Sequence, residues 1–159
     1  LVVIAPDDAH WTELAGIEAV RRGGATRAES VFNGLQALRE SGVPDIDWVL
    51  VHDAARCLVT PQEIGALIDA CRDDPVGGLL ALPLPDTLKA EAGGRVQQTV
   101  PREHKWLAQT PQMFRLGDLH AALARARASG FADITDEASA IERSGAQPRL
   151  VEGRASNLK

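Results

Sequence analysis

The chain has 159 residues, of which 45% are hydrophobic and 25% charged, so it is long enough and apolar enough for one domain with a substantial core. A formal net charge of −5 and an aromatic content of 4% argue against a general nucleic-acid-binding surface, which needs a basic excess and stacking side chains. The 17 basic residues include only three lysines, a bias that suits a small phosphate-bearing ligand because a guanidinium group pairs with phosphate through two nitrogens.

The first part of the chain alternates predicted strands and helices. The apolar run Leu1–Ala5 predicts a short buried strand. Apolar residues at helical spacing predict helices over about 8–19 and 27–39, with Gly23-Gly24 breaking the chain between them. The next strand is the run that begins at Trp48 and stops at Asp53.

The second part begins with a strong helix signal. Thr60, Pro61 and Glu63 match an N-cap, a first helical position and a capping-box position. The polar segment 83–104, with a glycine pair at its centre, predicts a β-hairpin arm that stands off the body. Further apolar patterns predict a strand over 77–82, helices over 116–128 and 135–144, and a last strand over 148–151. Strands that alternate with helices indicate an α/β fold with a mainly parallel sheet.

The sequence contains nothing typical of a secreted or membrane protein. Cys57 and Cys71 lack metal-like spacing and are interpreted as free thiols in a reducing compartment. No apolar run approaches the length of a membrane span, and no signal peptide is recognisable. The prediction is a cytoplasmic protein without membrane or nucleic-acid partners.

The segment from Trp48 to Arg56 carries the strongest functional pattern. A β-branched, apolar strand ends in His52-Asp53-Ala54-Ala55-Arg56. Ligands of open α/β sheets bind just beyond the carboxyl ends of strands. An acid and a guanidinium group at that edge, with small residues between them, suit a metal-bound phosphate substrate. The alternative is a strand end with a solvated Asp53 and Arg56.

Four other clusters have both a functional and a structural interpretation. A helix start after Gly23-Gly24 can approach a base or sugar, or can be a simple chain break. Thr110 is held extended by the proline after it, or is an ordinary loop threonine. Thr135 is the expected N-cap of the next helix, with or without a ligand. Lys159 has no evident structural role, as is common for surface lysines.

In their order along the chain, five motifs closely resemble the 2-C-methyl-D-erythritol 4-phosphate cytidylyltransferase family, over residues 1–159. They are His52-Asp53-Ala54-Ala55-Arg56, Asp86-Thr87-Leu88-Lys89, Gln109-Thr110-Pro111-Gln112, Ile134-Thr135-Asp136-Glu137-Ala138-Ser139, and Glu152-Gly153-Arg154 through Asn157-Leu158-Lys159. The resemblance implies a single three-layer, Rossmann-like nucleotidyltransferase domain over 1–159. It also implies transfer of CMP from CTP to methylerythritol phosphate with Mg²⁺, releasing pyrophosphate.

The resemblance also implies roles for individual residues. Asp53 matches the acid that helps to hold the metal and the nucleotide, and Asp53 and Lys159 are the expected catalytic pair. Nucleotide-binding positions match Gly24, Ser30, Asp53 and Ala54. Positions around the sugar phosphate match Arg56, Thr87, Arg102, Thr110, Thr135 and Lys159. In the family, Thr87 and Arg102 lie on an arm that interlocks with a second subunit, so the resemblance implies a homodimer through residues 83–104.

The reaction needs no dedicated general base, because the attacking phosphate is already ionised near neutral pH. Magnesium and cationic side chains offset the repulsion between the two phosphates. The histidines, which are scattered along the chain without triad or metal spacing, are therefore interpreted as structural or solvated. They are His10, His52, His104 and His120.

The chain departs from the family pattern in ways that leave two alternatives open. The family's glycine-rich loop with its arginine, its Pro-Lys-Gln segment and its closing segment have no match here. Ala25 replaces a frequently polar residue, and Pro101 and Glu103 flank Arg102. One alternative is an enzyme for another polyol phosphate, such as ribitol 5-phosphate. The other is that these 159 residues alone are a binding or dimerisation fragment with little or no turnover.

Overall fold

The computed structural model describes residues 1–159. The strands are β1 Val2–Val3, β2 Ala19–Val20, β3 Trp48–Val51, β4 Gly77–Pro83, β5 Leu88–Ala92, β6 Arg95–Val100, β7 Trp106–Arg115 and β8 Arg149–Glu152. The helices are α1 Arg27–Glu40, α2 Pro61–Cys71, α3 Leu116–Arg127 and α4 Glu137–Glu142. None of these helices combines the length and the hydropathy that crossing a membrane requires.

The central sheet has four strands in the order β3-β7-β4-β8. β7 is antiparallel to both of its neighbours, β3 and β4, whereas β4 and β8 are parallel. Three of the four strands therefore run in one direction and β7 runs against them. The predicted α/β fold with a mainly parallel sheet is confirmed in this sense. β1 and β2 form a separate parallel pair.

Helices cover both faces of the central sheet. Consecutive strand residues point to opposite sides, so β4 and β7 present apolar side chains to both layers of helices. On one face, Leu79 and Phe114 belong to the larger core cluster, to which α1, α3 and α4 contribute. On the other face, Leu80 and Met113 pack with Leu67 of α2. The result is the three-layer arrangement that the resemblance implied.

Local capping signals explain where two of the helices begin. The side chain of Thr26 accepts the backbone N–H of Glu29 at the start of α1. At α2, Thr60 and Glu63 form a reciprocal capping box, with Pro61 at the first helical position. The predicted helices at these two places are confirmed, and α1 extends one residue further, to Glu40.

The helix predicted over residues 8–19 is wrong: the structure has turns there, followed by β2. The Asp8 side chain accepts the backbone N–H groups of His10 and Trp11, which offers the backbone an alternative to a helix. Leu14 and Ile17, which supplied part of the helical spacing, are 53% and 43% exposed. A helix with this spacing would therefore have no buried apolar face in this fold.

Two further differences concern the residues around the predicted motifs. Gln109 to Gln112 lie within β7, a strand that the sequence analysis did not predict, and not in a loop. Buried polar residues and a proline hide the strand pattern. The N-cap of α4 is Asp136, whose side chain accepts the backbone N–H of Ser139, and not Thr135. This helix ends at Glu142, two residues before the predicted end.

β5 and β6 form a hairpin that pairs with no other strand. Gly93 and Gly94 make its tip, with φ angles of 61° and 78° that favour glycine. At its base, the backbone N–H of Leu84 donates to the carbonyl of Lys105 at 2.9 Å. Most hairpin residues are exposed, including Val96 at 65%. The segment 83–104 is therefore an arm with its own two-stranded sheet.

The turn before β4 gives a stability prediction. Asp74 accepts the backbone N–H groups of Gly77 and Val76, and these hydrogen bonds hold the pKa of its carboxyl below the ordinary value. We expect Asp74→Ala to lower the free energy of unfolding by about 1–2 kcal/mol near neutral pH. Because the pKa is depressed in the folded state, this difference should be complete above about pH 4 and shrink as the pH falls further.

Denaturant unfolding of both proteins over that pH range measures the difference. Asp73→Ala is the matched control, because the side chain of Asp73 is 93% exposed and its one ion pair, with Arg72, is long at 3.6 Å. Equal destabilisation by the two substitutions, or a difference that does not change with pH, would contradict the assignment of this role to Asp74.

Candidate active site

A polar cavity of about 190 Å³ lies at the edge of the central sheet, beyond the end of β3. Its walls come from the start of α1, the segment after β3, the middle of β7, the residues before α4 and the final loop. The lining residues are Arg27, Asp53, Arg56, Ala108, Gln109, Thr110, Gln112, Thr135, Asp136 and Lys159. The fold thus brings five of the predicted site residues together: Asp53, Arg56, Thr110, Thr135 and Lys159.

Asp53 is the centre of the charged groups in this cavity. Its Oδ1 accepts from Nε of Arg27 at 2.7 Å, and its Oδ2 lies 3.0 Å from Nζ of Lys159. The Nε of Arg56 lies 3.9 Å from the same Oδ2. Burial raises the pKa of the Asp53 carboxyl, but the hydrogen bonds from Arg27 and Lys159 outweigh this and hold the pKa below its ordinary value. Asp53 is therefore an anion surrounded by three cations.

Arg27 joins Asp53 to a second, deeper carboxylate. Its two terminal nitrogens donate to the two oxygens of Glu137 at 2.7 and 2.8 Å. The Glu137 side chain is only 1% exposed. Burial lowers the pKa of Arg27, but hydrogen bonds and charge interactions with Glu137 and Asp53 reverse the direction and raise it. Arg27 is thus permanently charged and fully engaged.

Sequence reasoning did not select Arg27 or Glu137 as site residues. Both stand at the start of a helix, where they were interpreted as part of an ordinary helix beginning. One signal was present: an arginine in the first turn opposes the helix dipole, so its position there indicates a nearby anion. The identity of that anion could not be predicted, because Glu137 lies 110 residues away in the sequence.

The buried amide of Gln112 connects β7 to α4. Its Nε2 donates to Oδ2 of Asp136 at 2.9 Å, and its Oε1 accepts the backbone N–H of Ala138 at 2.8 Å. These contacts hold the segment that carries Thr135 against the cavity. Two residues earlier in β7, the hydroxyl of Thr110 accepts the backbone N–H of Asp53 at 3.0 Å.

A buried network positions the final loop, and with it Lys159. Arg56 and Gln109 both donate to the carbonyl of Asn157, at 2.7 and 3.2 Å. The fully buried side chain of Asn157 donates in turn to the carbonyl of Thr110 at 2.9 Å. The Nε of Arg56 is buried and has no hydrogen-bond partner, so it is an unused N–H donor beside Asp53.

The predicted nucleotide-binding positions lie next to this cavity in sequence but do not line it. Gly24 donates its backbone N–H to the hydroxyl of Ser30 at 3.0 Å, across the first turn of α1. The same turn delivers Arg27 to the cavity. Ala54, directly after Asp53, is exposed.

Thr87 and Arg102 are predicted site residues that lie on the hairpin arm and not at the cavity. Both are exposed, next to the strands of the hairpin, and neither lines the cavity. Arg102 donates to the carbonyl of Pro85, a contact that closes the base of the arm on itself. Within one copy of the chain, these two residues are not joined to Asp53.

His52 is the histidine nearest to the site. Its Nδ1 lies 3.0 Å from the Thr110 hydroxyl and its Nε2 lies 3.1 Å from the carbonyl of Arg56. Both ring nitrogens are therefore occupied by structural contacts. The chain has no group of three or more His, Cys, Asp or Glu side chains arranged to hold a metal ion.

Comparison with known proteins covers the whole chain. The family model described as IspD, 2-C-methyl-D-erythritol 4-phosphate cytidylyltransferase, matches residues 1–159. The 2-C-methyl-D-erythritol 4-phosphate cytidylyltransferase of Paraburkholderia phytofirmans is 56% identical over 167 residues, which are 100% of this chain and 70% of the relative. A bifunctional enzyme IspD/IspF from Albidiferax ferrireducens is also 56% identical, over 100% of this chain and 38% of its own length.

Solved structures agree with the sequence comparison. A crystal structure of 4-diphosphocytidyl-2C-methyl-D-erythritol synthase superposes with a TM-score of 0.90 at 44% identity, over 99% of this chain and 74% of that one. The 2-C-methyl-D-erythritol 4-phosphate cytidylyltransferase of Francisella tularensis superposes with a TM-score of 0.86 at 35% identity, over 99% and 72%. The fold and the sequence thus point in the same direction.

Proposed function

The chain belongs to the 2-C-methyl-D-erythritol 4-phosphate cytidylyltransferase family, and we propose that the cavity around Asp53 is its active site. Enzymes of this family are nucleotidyltransferases of isoprenoid biosynthesis. They transfer the cytidylyl group of CTP to the phosphate of 2-C-methyl-D-erythritol 4-phosphate, and the products are 4-diphosphocytidyl-2-C-methyl-D-erythritol and pyrophosphate. The observation that carries the proposal is the set of three cations within 4 Å of one carboxylate in a polar cavity.

The geometry suits the meeting of two phosphates. A phosphate oxygen of the acceptor attacks the α-phosphorus of CTP, the new P–O bond forms, and the bond to the leaving pyrophosphate breaks with its electron pair on pyrophosphate. The attacking oxygen is already ionised, so the residues need only orient it and offset charge. The side chain of Lys159 is 55% exposed, so it can turn to the acceptor phosphate, whereas Arg56 is held in place on the cavity wall and offsets charge from there.

The remaining predicted residues fit around these two cations. The hydroxyl of Thr135 is a donor on the cavity wall for the same phosphate or its sugar, whereas that of Thr110 contacts His52 and the backbone N–H of Asp53 and shapes the wall. Gly24, Ser30 and Ala54 are close in sequence to Arg27 and Asp53 of the cavity, and the nucleotide is proposed to lie on that side. In this arrangement Asp53 stands between the two substrates.

The charge of the cavity supports a role for magnesium. Arg27, Arg56 and Lys159 are balanced by three carboxylates, those of Asp53, Asp136 and the deeper Glu137. A triphosphate and a phosphate therefore need additional positive charge. Mg²⁺ is commonly held by one or two carboxylates together with substrate phosphates, and Asp53 fits this donor set. The ion would neutralise charge as it develops on the phosphates.

We also propose that the hairpin acts between two copies of the chain. Thr87 and Arg102 do not reach the cavity of their own chain, and the hairpin pairs with no strand of its own body. The exposed apolar side chains of Val96 on the hairpin and of Trp106 and Leu107 at the start of β7 offer contact area for a partner. A homodimer with exchanged arms would bring Arg102 of each subunit to the other subunit's cavity.

The direct test is an assay of the full-length protein with CTP, Mg²⁺ and 2-C-methyl-D-erythritol 4-phosphate. We expect release of pyrophosphate together with formation of the cytidylyl product. Ribitol 5-phosphate, assayed in parallel, is expected to give at most a small fraction of this rate. No release with either acceptor would refute the proposed function. A higher rate with ribitol 5-phosphate would change the proposed acceptor to that compound.

A further inference from the structure

Glu137 is a buried acid behind the cavity for which the proposed chemistry has no direct use. It does not line the cavity, and its side chain is only 1% exposed. Both of its oxygens accept hydrogen bonds from one partner, Arg27. A buried carboxylate that is committed to a single arginine is an expensive feature for a fold, since a neutral pair of similar size often serves stability equally well.

Arg27 has no nitrogen left over in this arrangement. Its two terminal nitrogens bind Glu137 and its Nε donates to Oδ1 of Asp53. The guanidinium group is planar, so the two hydrogen bonds to Glu137 fix the orientation of the whole group. They therefore also fix the direction in which Nε donates to Asp53. The pair also joins the first residue of α1 to the first residue of α4.

From this geometry we infer that Glu137 is a positioning residue for Asp53, and that it acts through Arg27. The inference rests on the proposed function, because it assumes that Asp53 takes part in the reaction.

Three variants of the full-length protein test this inference: Glu137→Gln, Arg27→Gln and the double variant. We expect Glu137→Gln to lower kcat by about 10- to 100-fold, as is typical when an outer partner that orients a site residue is lost. The KM for CTP should stay within about threefold of the parent value, since no residue that contacts substrate has changed.

The double variant separates positioning from simple support of the fold. Arg27→Gln alone leaves Glu137 buried without its partner, and we expect the largest loss of unfolding stability there. With two glutamines, a neutral hydrogen-bonded pair replaces the ion pair, so stability should return towards the parent. The kcat should remain as low as in Arg27→Gln, because Asp53 still lacks its orienting partner, and Glu137→Gln should cause no further loss in that background.

Arg39→Gln is the matched control. Arg39 also binds a carboxylate, that of Asp45, through two nitrogens, but neither residue lines the cavity. This variant should keep the parent kcat. Recovery of kcat together with stability in the double variant, or a kcat within about twofold of the parent in Glu137→Gln, would overturn the inference, because positioning losses are expected to be larger.

A crystal structure of Glu137→Gln gives a readout that does not depend on turnover. We expect the Arg27 side chain to leave its present plane and the Asp53 carboxylate to take up another rotamer or several. An unchanged contact between Arg27 and Asp53 would overturn the inference even if the parent protein released no pyrophosphate. An inactive parent, in contrast, would refute the proposed function alone.

Discussion

Replacement of Asp53 by asparagine is expected to lower kcat by roughly 10²- to 10³-fold while the fold stays intact. The amide has nearly the same shape, so packing around the cavity should not change. It lacks the charge that holds Arg27 and Lys159 and that is proposed to contact Mg²⁺. Steady-state rates of the full-length protein at several Mg²⁺ concentrations, together with circular dichroism and unfolding curves, measure the two parts of this expectation.

Asp45→Asn is a suitable control for this substitution. Asp45 binds Arg39 through both of its oxygens, but it lies outside the cavity. The kcat of the Asp45→Asn variant should therefore remain within about twofold of the parent value. Near-parent turnover of Asp53→Asn at low Mg²⁺ would contradict the proposal. Asp53 would then be only an anchor for the surrounding cations at the end of β3.

The second large effect is expected from mixed dimers. Arg102→Ala and Asp53→Asn should each abolish most of the activity when present in both subunits. If the hairpin acts on the partner, a mixed dimer has one cavity with both lesions and one with neither. With free exchange of an equal mixture, about half of the dimers are mixed, so about a quarter of the parent activity should return.

This experiment needs proof that subunits exchange. Two different affinity tags, one on each variant, allow mixed dimers to be isolated and counted. Arg95→Ala is the matched control on the hairpin, since Arg95 is an exposed arginine on β6 with no predicted role at the substrate. Isolated mixed dimers that are as inactive as the Arg102→Ala and Asp53→Asn homodimers would refute the exchanged arrangement. Arg102 would then serve the cavity of its own subunit or no cavity.

Local signals predicted the elements whose determinants lie within a few residues of one another. The capping pattern at Thr60 and Glu63 and the glycine pair at the hairpin tip are of this kind. The helix expected over residues 8–19 failed because its spacing was apolar but the fold provides no surface to cover it. The reversed direction of β7 could not be predicted either, since strand direction depends on pairing between distant segments.

The candidate site shows the same division. The resemblance selected Asp53, Thr110 and Thr135, which stand in recognisable motifs and line the cavity together. The ion pair between Arg27 and Glu137 was not predicted, because the two residues stand at the starts of different helices. Their contact depends on how those helices pack, which the sequence pattern does not show. The arginine in the first turn of α1 indicated an anion nearby, but only the folded chain shows that the anion is Glu137.

Insertions are expected to have different effects within the long strand β7 and within the hairpin that precedes it. It runs from the base of the hairpin to the far end of the sheet and pairs with β4 and β3 along the way. One residue inserted within it would turn every side chain on one side of the insertion to the opposite face and carry Thr110 out of the cavity. Residues added in pairs at the hairpin tip, beside Gly93, would lengthen the arm without moving β7. The length of the hairpin can thus change without disturbing the strand that carries Thr110.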